Sequence, residues 1–336
     1  RHWRVGWRRQ RPFSGMTHIP ELDKRPENAA EIRAQILASV AAVVFCALGL
    51  FSGYQAIIFR RRRQPMAWPF TLALFGSVCL HSGTTALLFS WRVVEWIPVI
   101  PFYILSTMQE YTLTLSALLI VLFFADTFVE VTVSDERFFT VRALLRRGTG
   151  LFCAVMLTVC CVMLGVGFLD APGTDTFANS KQFFVTRVFF GVGYLAIAGT
   201  FTAVAFALDD KLQGMLWGKF RALRGARTRV RKKIARTAGY LSVSLTIHGS
   251  MMLARELWSA FRHAYVDPDK LALHDFFKDV LLDALPLGVA LFLLAPHLHG
   301  TTFPRQGSIA INVSLPNVTH LTEDRDNAQA LELEDC

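Results

Sequence analysis

The sequence predicts an all-α, polytopic membrane protein, a bundle of seven transmembrane helices. Three observations carry this expectation. Of 336 residues, 53% are hydrophobic and only 18% charged, against about 45–50% and about 25% in soluble chains. Mean hydropathy is +0.38. The apolar residues fall in runs long enough to cross about 30 Å of hydrocarbon, which takes about 20 residues of helix. This composition excludes a soluble enzyme, a disordered chain and a fibre. Only helices and closed barrels satisfy their backbone groups in lipid, and the runs are too long and too weakly alternating for barrel strands.

In chain order the runs span 36–59, 67–90, 101–125, 149–169, 183–208, 237–260 and 279–297. The first and fourth carry no charge, and the others carry a few ionisable groups at most. Trp68, Trp91, Trp96 and Trp258 fall near span ends, where the interfacial aromatic belt places such rings. Cys46, Cys79, Cys153, Cys160 and Cys161 sit inside apolar runs and Cys336 is terminal, so no disulfide framework is expected.

The chain divides into an N-terminal segment 1–35, the seven-helix domain 36–298 and a flexible polar tail 299–336. Residues 1–15 precede Met16 and read as an extension before the natural start. Loops one, three and five hold 18 Lys/Arg and loops two, four and six hold 6. Short basic loops face the cytosol, so the N-terminus is expected outside or lumenal and the C-terminus cytosolic. Two sequons in the tail, at Asn312 and Asn317, would be glycosylated only on the opposite side, and the loop count is given more weight.

Charges inside membrane helices are costly and turn toward the bundle interior. His81, Glu110, Arg255 and Asp283 stand out. Counting about 1.5 Å per residue from the span ends places all four within about 6–14 Å of the outer interface. Two readings of this buried polar layer stay open. One is a polar pocket or proton-linked site. The other, favoured, is a buried pair of Arg255 with Asp283 or Glu110 that fixes helix register. His248 lies deeper and reads as a hydrogen-bonded packing residue. Pro286 is expected to kink the seventh helix beside Asp283 and free a backbone carbonyl. No metal-ligand cluster, nucleophile elbow or phosphate loop is visible, so no enzyme activity, metal or cofactor is expected.

Residues 219–236, KFRALRGARTRVRKKIAR, contain nine Lys/Arg in eighteen positions and no acid. Arg224, Arg227, Arg229, Arg231, Lys232, Lys233 and Arg236 form a candidate surface for anionic lipid, at about 1 kcal/mol per base near a membrane, or for an acidic cytosolic partner. Nucleic acid is disfavoured because only Phe220 interleaves with the bases.

Seven spans invite comparison with receptors coupled to G proteins, but ADTFVEVTVSDERFF after helix 3 and DALPLGVALFLLAP in helix 7 lack the rhodopsin-like motifs. Lys278 is only at the outer edge of the seventh span, which disfavours a retinal protein. Three other stretches are ALLIVLFFADTFVE (117–130, with Asp126), RVRKKIARTAGYLSVSLTIHGSMMLAREL (229–257, with Gly239 and Arg255) and DALPLGVALFLL (283–294, with Leu285 and Pro286). In these the chain resembles the tobamovirus multiplication protein family of plants and its animal relatives, orphan seven-span lysosomal proteins. The likeness spans about 35–298. Asp209-Asp210-Lys211 departs from the small basic turn expected after helix 5, and Glu110 has no family counterpart.

The resemblance implies a non-enzymatic, receptor-like scaffold of a vacuolar or lysosomal membrane. It would recruit cytosolic partners, such as a small GTPase, through its basic loops. The alternative is a small-solute or proton-linked transporter that uses the polar layer.

Overall fold

The computed structural model describes residues 29–62, 68–94, 99–132, 135–170, 181–216, 224–262 and 273–298. The segment 1–28 and the tail with its sequons lie outside the described residues, as do the side chains of Arg224, Arg227, Arg229, Arg231, Lys232 and Lys233. Among the described residues the chain is all-helical. The helices are α1 (Ala29–Arg62), α2 (Thr71–Val93), α3 (Val99–Thr132), α4 (Asp135–Asp170), α5 (Lys181–Leu216) and α6 (Arg224–Arg262). A π-helical segment, Phe277–Ala284, then runs directly into α7 (Leu285–Leu298).

Five helices, α1 to α5, are long and apolar enough to cross a membrane. The other two candidate spans differ for identifiable reasons. In α6 the stretch after the basic run carries Ser242, Ser244, Thr246, His248 and Ser250, which dilute its apolar character. The last span is divided between the π segment and α7, which has only 14 residues. The expected fifth loop is also shorter than the sequence suggested. From Arg224 onward the basic run is helix, continuous with α6. Arginine and lysine are good helix formers, and no proline interrupts them.

The helices close a ring. α1 packs on α2, α2 on α3, α3 on α5, α5 on α6, and α6 on the π segment and α7, which return to α1. α4 lies outside the ring against α3 and α5. The burial pattern differs from that of a soluble bundle in its apolar exterior. On α2 the inward stripe is Leu74, Phe75, Val78, His81, Ser82, Thr85, Leu88 and Phe89, at helical spacing, while Leu72, Leu80 and Leu87 face outward. α4 exposes Leu144, Leu151, Phe152, Val155, Leu157, Val162 and Leu169. An apolar exterior around an interior rich in Ser, Thr and charge is what hydrocarbon as solvent selects.

Hydroxyl groups join the walls. Ser52 donates to the Phe75 carbonyl at 2.7 Å, and Ser77 and Ser116 share a hydrogen bond of 2.9 Å. Thr202 meets Ser242 between α5 and α6. The same pair of helices approaches closely at two glycines, Gly191 and Gly249. A Cβ on Gly249 would lie 2.8 Å from the Gly191 carbonyl oxygen and 3.1 Å from Tyr194 Cβ. Backbone cannot yield as a side chain can, so Gly249→Ala should cost about 1–3 kcal/mol. Thermal unfolding of the purified variant in detergent checks this, with a clear loss of stability expected.

Pro286 accounts for the irregular start of the last helix. It has no N–H to offer the carbonyl four residues earlier, which belongs to Leu282. Ser244 of α6 donates its hydroxyl to that carbonyl instead. The freed carbonyl expected beside Asp283 is therefore satisfied by a neighbouring helix. The Leu285 N–H reaches back to the Val280 carbonyl, the wide i→i−5 spacing of a π turn.

Candidate functional site

Asp275, Asp279 and Asp283 recur every fourth residue and are all buried, so they stand on one helical face. That face meets α2, α3, α5 and α6 at a cluster of ionisable side chains. Glu110 of α3 is its hub. Lys278 donates from Nζ to Glu110 Oε1 at 2.8 Å. The Tyr194 hydroxyl lies 2.8 Å from Glu110 Oε2 and 3.0 Å from the Glu110 carbonyl. His248 of α6 stands between two acids, with Nδ1 donating to Asp283 Oδ1 at 2.6 Å and Nε2 3.5 Å from Glu110 Oε2. Tyr194 and His248 stack obliquely with centroids 4.7 Å apart, a contact that the Gly191–Gly249 approach permits. Lys278 also lies 3.4 Å from Asp279 Oδ1.

His81 of α2 completes the cluster. Its Nδ1 is 3.1 Å from the Gln109 backbone oxygen. A carbonyl can only accept, so Nδ1 carries the proton. The ring sits edge-on to Phe45, centroids 5.7 Å apart. Five buried side-chain atoms in this region have no hydrogen-bond partner: His81 Nε2, Gln109 Nε2, His248 Nε2, Asp279 Oδ1 and Asp283 Oδ2. Two of them still face a charge partner beyond hydrogen-bond geometry: Asp279 Oδ1 lies 3.4 Å from Lys278 Nζ and His248 Nε2 3.5 Å from Glu110 Oε2.

Toward the end of the bundle where α2 and α6 finish, a second cluster forms a rim. Asp275 accepts from Arg92 Nη1 at 2.8 Å and lies 3.4 Å from Arg255 Nη1 and 3.3 Å from His274 Nδ1. Arg187 bonds Glu256 at 2.8 Å, and Arg92 lies over the Phe89 ring. Burial alone would raise the Asp275 carboxyl. The His274 hydrogen bond and the charges of Arg92, Arg255 and Lys278 overcome it and hold the group well below the usual carboxylate range. A carboxyl held low stabilises the fold fully above its ordinary value and loses that contribution only as pH falls through the lower folded value. The stability deficit of Asp275→Asn should therefore stay constant between pH 7 and pH 5 and narrow only below about pH 4. Melting curves of both proteins across that range check it.

At the opposite end, buried Asp126 of α3 anchors α4. It accepts from Arg142 Nε at 2.6 Å and Nη2 at 2.5 Å, and from Arg146 Nη2 at 3.0 Å. The Arg146 guanidinium also lies over the Phe70 ring, 5.4 Å from its centroid.

The structure brings His81, Glu110 and Asp283 of the expected polar layer together and leaves Arg255 out. Arg255 pairs with Asp275 at the rim, not with Asp283 or Glu110. Its long side chain, 36% exposed, carries the charge outward from its Cα depth. His248, read as a hydrogen-bonded packing residue, is buried and stands between two carboxylates. Lys278, expected at the edge, has a side chain only 14% exposed and enters the cluster. Lys278, Asp279 and Tyr194 are members that sequence reasoning missed. The four-residue acid spacing 275–279–283 was the available signal for Asp279. Pro286 lies at the start of α7 and is buried. Of the basic surface, Arg236 is exposed on α6. Among the described residues no group of His, Cys, Asp and Glu is arranged to hold a metal ion. No protein-family model matches this chain, and no curated protein matches it.

Proposed function

We propose that the protein is a seven-span carrier for protons or a small solute, with the Glu110–Lys278–His248–Asp283 cluster as its working part. The observation that carries this reading is the enclosure of seven ionisable side chains in one place: His81, Glu110, Tyr194, His248, Lys278, Asp279 and Asp283. Ionisable groups at membrane depth are expensive, and they mark substrate or ion pathways. A register-setting pair would need two such groups, not seven. The π segment and α7 together cover 22 residues, about the number a membrane-spanning helix takes, which supports a further span beside α6 and a count of seven. Loop charge supports an outside or lumenal N-terminus, with the rim cluster on that side.

Pyranine-loaded proteoliposomes under an imposed pH gradient test the reading. The protein should dissipate the gradient faster than empty vesicles do, and Asp283→Asn should return the rate to that of empty vesicles. Wild-type vesicles no faster than empty ones would remove the reading.

The scaffold reading keeps one observation in its favour. The basic run continues α6 as helix from Arg224, so these residues belong to a regular element and not to a loop. That arrangement suits an anionic endomembrane surface or an acidic partner at the cytosolic face, as the resemblance to the tobamovirus multiplication family suggests. Reversing Arg231, Lys232 and Lys233 to Glu should cut binding to anionic vesicles and spare the gradient assay. If the scaffold were the whole function, Asp283→Asn would change neither.

A further inference from the structure

The two nitrogens of the His248 ring face two different acids on two different elements. Nδ1 lies 2.6 Å from Asp283 Oδ1 of the π segment, and Nε2 lies 3.5 Å from Glu110 Oε2 of α3. The ring is fully buried. The first contact is a closed hydrogen bond and the second is longer than one, so Nε2 has no bonded partner. Glu110 meets Nε2 as an acceptor. Its other oxygen takes the Lys278 ammonium at 2.8 Å, and Oε2 itself takes the Tyr194 hydroxyl at 2.8 Å. A bare Nε2 would turn its own lone pair toward that oxygen, whereas an Nε2–H would complete the set of donors around the carboxylate. One ring position is thus tied to an acid, and the other is faced by an acid without being tied to it.

We propose that His248 binds one exchangeable proton at Nε2, between Glu110 and Asp283. Bound, the ring carries hydrogens on both nitrogens and links α3 to the π segment through α6. Released, it keeps only Nδ1–H, toward Asp283. This deepens the carrier reading on which it rests, by naming the proton as the coupled species and His248 as its seat. Water supplies the proton as hydronium; the Nε2 lone pair forms the N–H bond and a water molecule is left behind. Release is the reverse step. The titratable groups in contact with the ring are Glu110 from α3, Tyr194 from α5 and Asp283 from the π segment. Lys278 and Asp279 of the π segment and His81 of α2 act on it from further away. The only ionisable residue of α7, which also packs on α6, is His297 near its far end.

The test is NMR of the full chain in lipid nanodiscs, with nitrogen-labelled histidine and carbon-labelled glutamate carboxyls. Magnetisation transfer between a glutamate carboxyl carbon and a ring Nε2 identifies His248 in the wild type, without a variant. Across about pH 5 to 11 the ring should pass from hydrogens on both nitrogens to Nδ1–H alone, with the Glu110 carboxyl ionised throughout. At the pH where half the wild-type rings have converted, Asp283→Asn should leave about a tenth of them or fewer doubly protonated, because a carboxylate in contact with the ring is gone. A histidine that only packs would show neither change. A proton on the Glu110 carboxyl in place of Nε2, a ring fixed in one form over the whole range, or an unchanged conversion in Asp283→Asn would overturn the proposal. The wild-type spectra decide even if Asp283→Asn does not fold. A titrating ring in a protein that dissipates no vesicle gradient would end the carrier reading and leave this site standing. His248→Gln vesicles as fast as the wild type would end this proposal alone.

Discussion

Glu110→Leu should be the most destabilising single substitution in the bundle. Lys278 would be left buried without its 2.8 Å partner, and removal of one member of a buried pair costs about 3–5 kcal/mol. Tyr194 and His248 would lose an acceptor as well. Lys278→Met should cost less, because Glu110 keeps Tyr194 and His248. The double variant Glu110→Leu/Lys278→Met should recover much of the loss, since apolar groups of similar size replace both charges. A double-mutant cycle of unfolding free energies in detergent measures the coupling, which should fall at the upper end of the usual 0.5–3 kcal/mol for contacting residues. Additive effects would mean that the two side chains do not face each other.

The second large effect belongs to Asp126. Among the described residues α4 packs mainly on α3 and α5, and its outward face is apolar. Its polar attachment is the three hydrogen bonds from Arg142 and Arg146 to one carboxylate, beside a longer bond of 3.3 Å from the Tyr111 hydroxyl to the Cys153 carbonyl. Asp126→Leu should cost about 1.5–3 kcal/mol, the range for a charged hydrogen-bonded group. Both guanidiniums are about a quarter exposed, so they can turn to water and keep the figure below that for Glu110. Limited proteolysis should show earlier cleavage around α4 in the variant, with the rest of the bundle cut at the wild-type rate.

The sequence exposed His81, Glu110 and Asp283 because a charge inside an apolar run has few explanations. It could not expose their partners. Lys278 and Glu110 are 168 residues apart, and Lys278 sits just before the apolar run begins. The lysine reads as an edge residue until the π segment turns it inward. Arg255 failed in the opposite way. Its Cα depth matched the layer, but a long side chain decides where its charge goes. The helices α1 to α5 were legible from length and apolarity. The polar seam of α6 and the divided last span were weaker signals, because both trade apolar residues for contacts to the core. From Arg224 the basic stretch reads as loop by charge and folds as the first turns of α6.

The most direct measurement is the vesicle gradient assay on Glu110→Leu/Lys278→Met. The account expects a protein that folds and reconstitutes nearly as well as the wild type and dissipates no gradient beyond that of empty vesicles. A stable double variant that works at the wild-type rate would show that the buried charges only hold the helices together, and would contradict it.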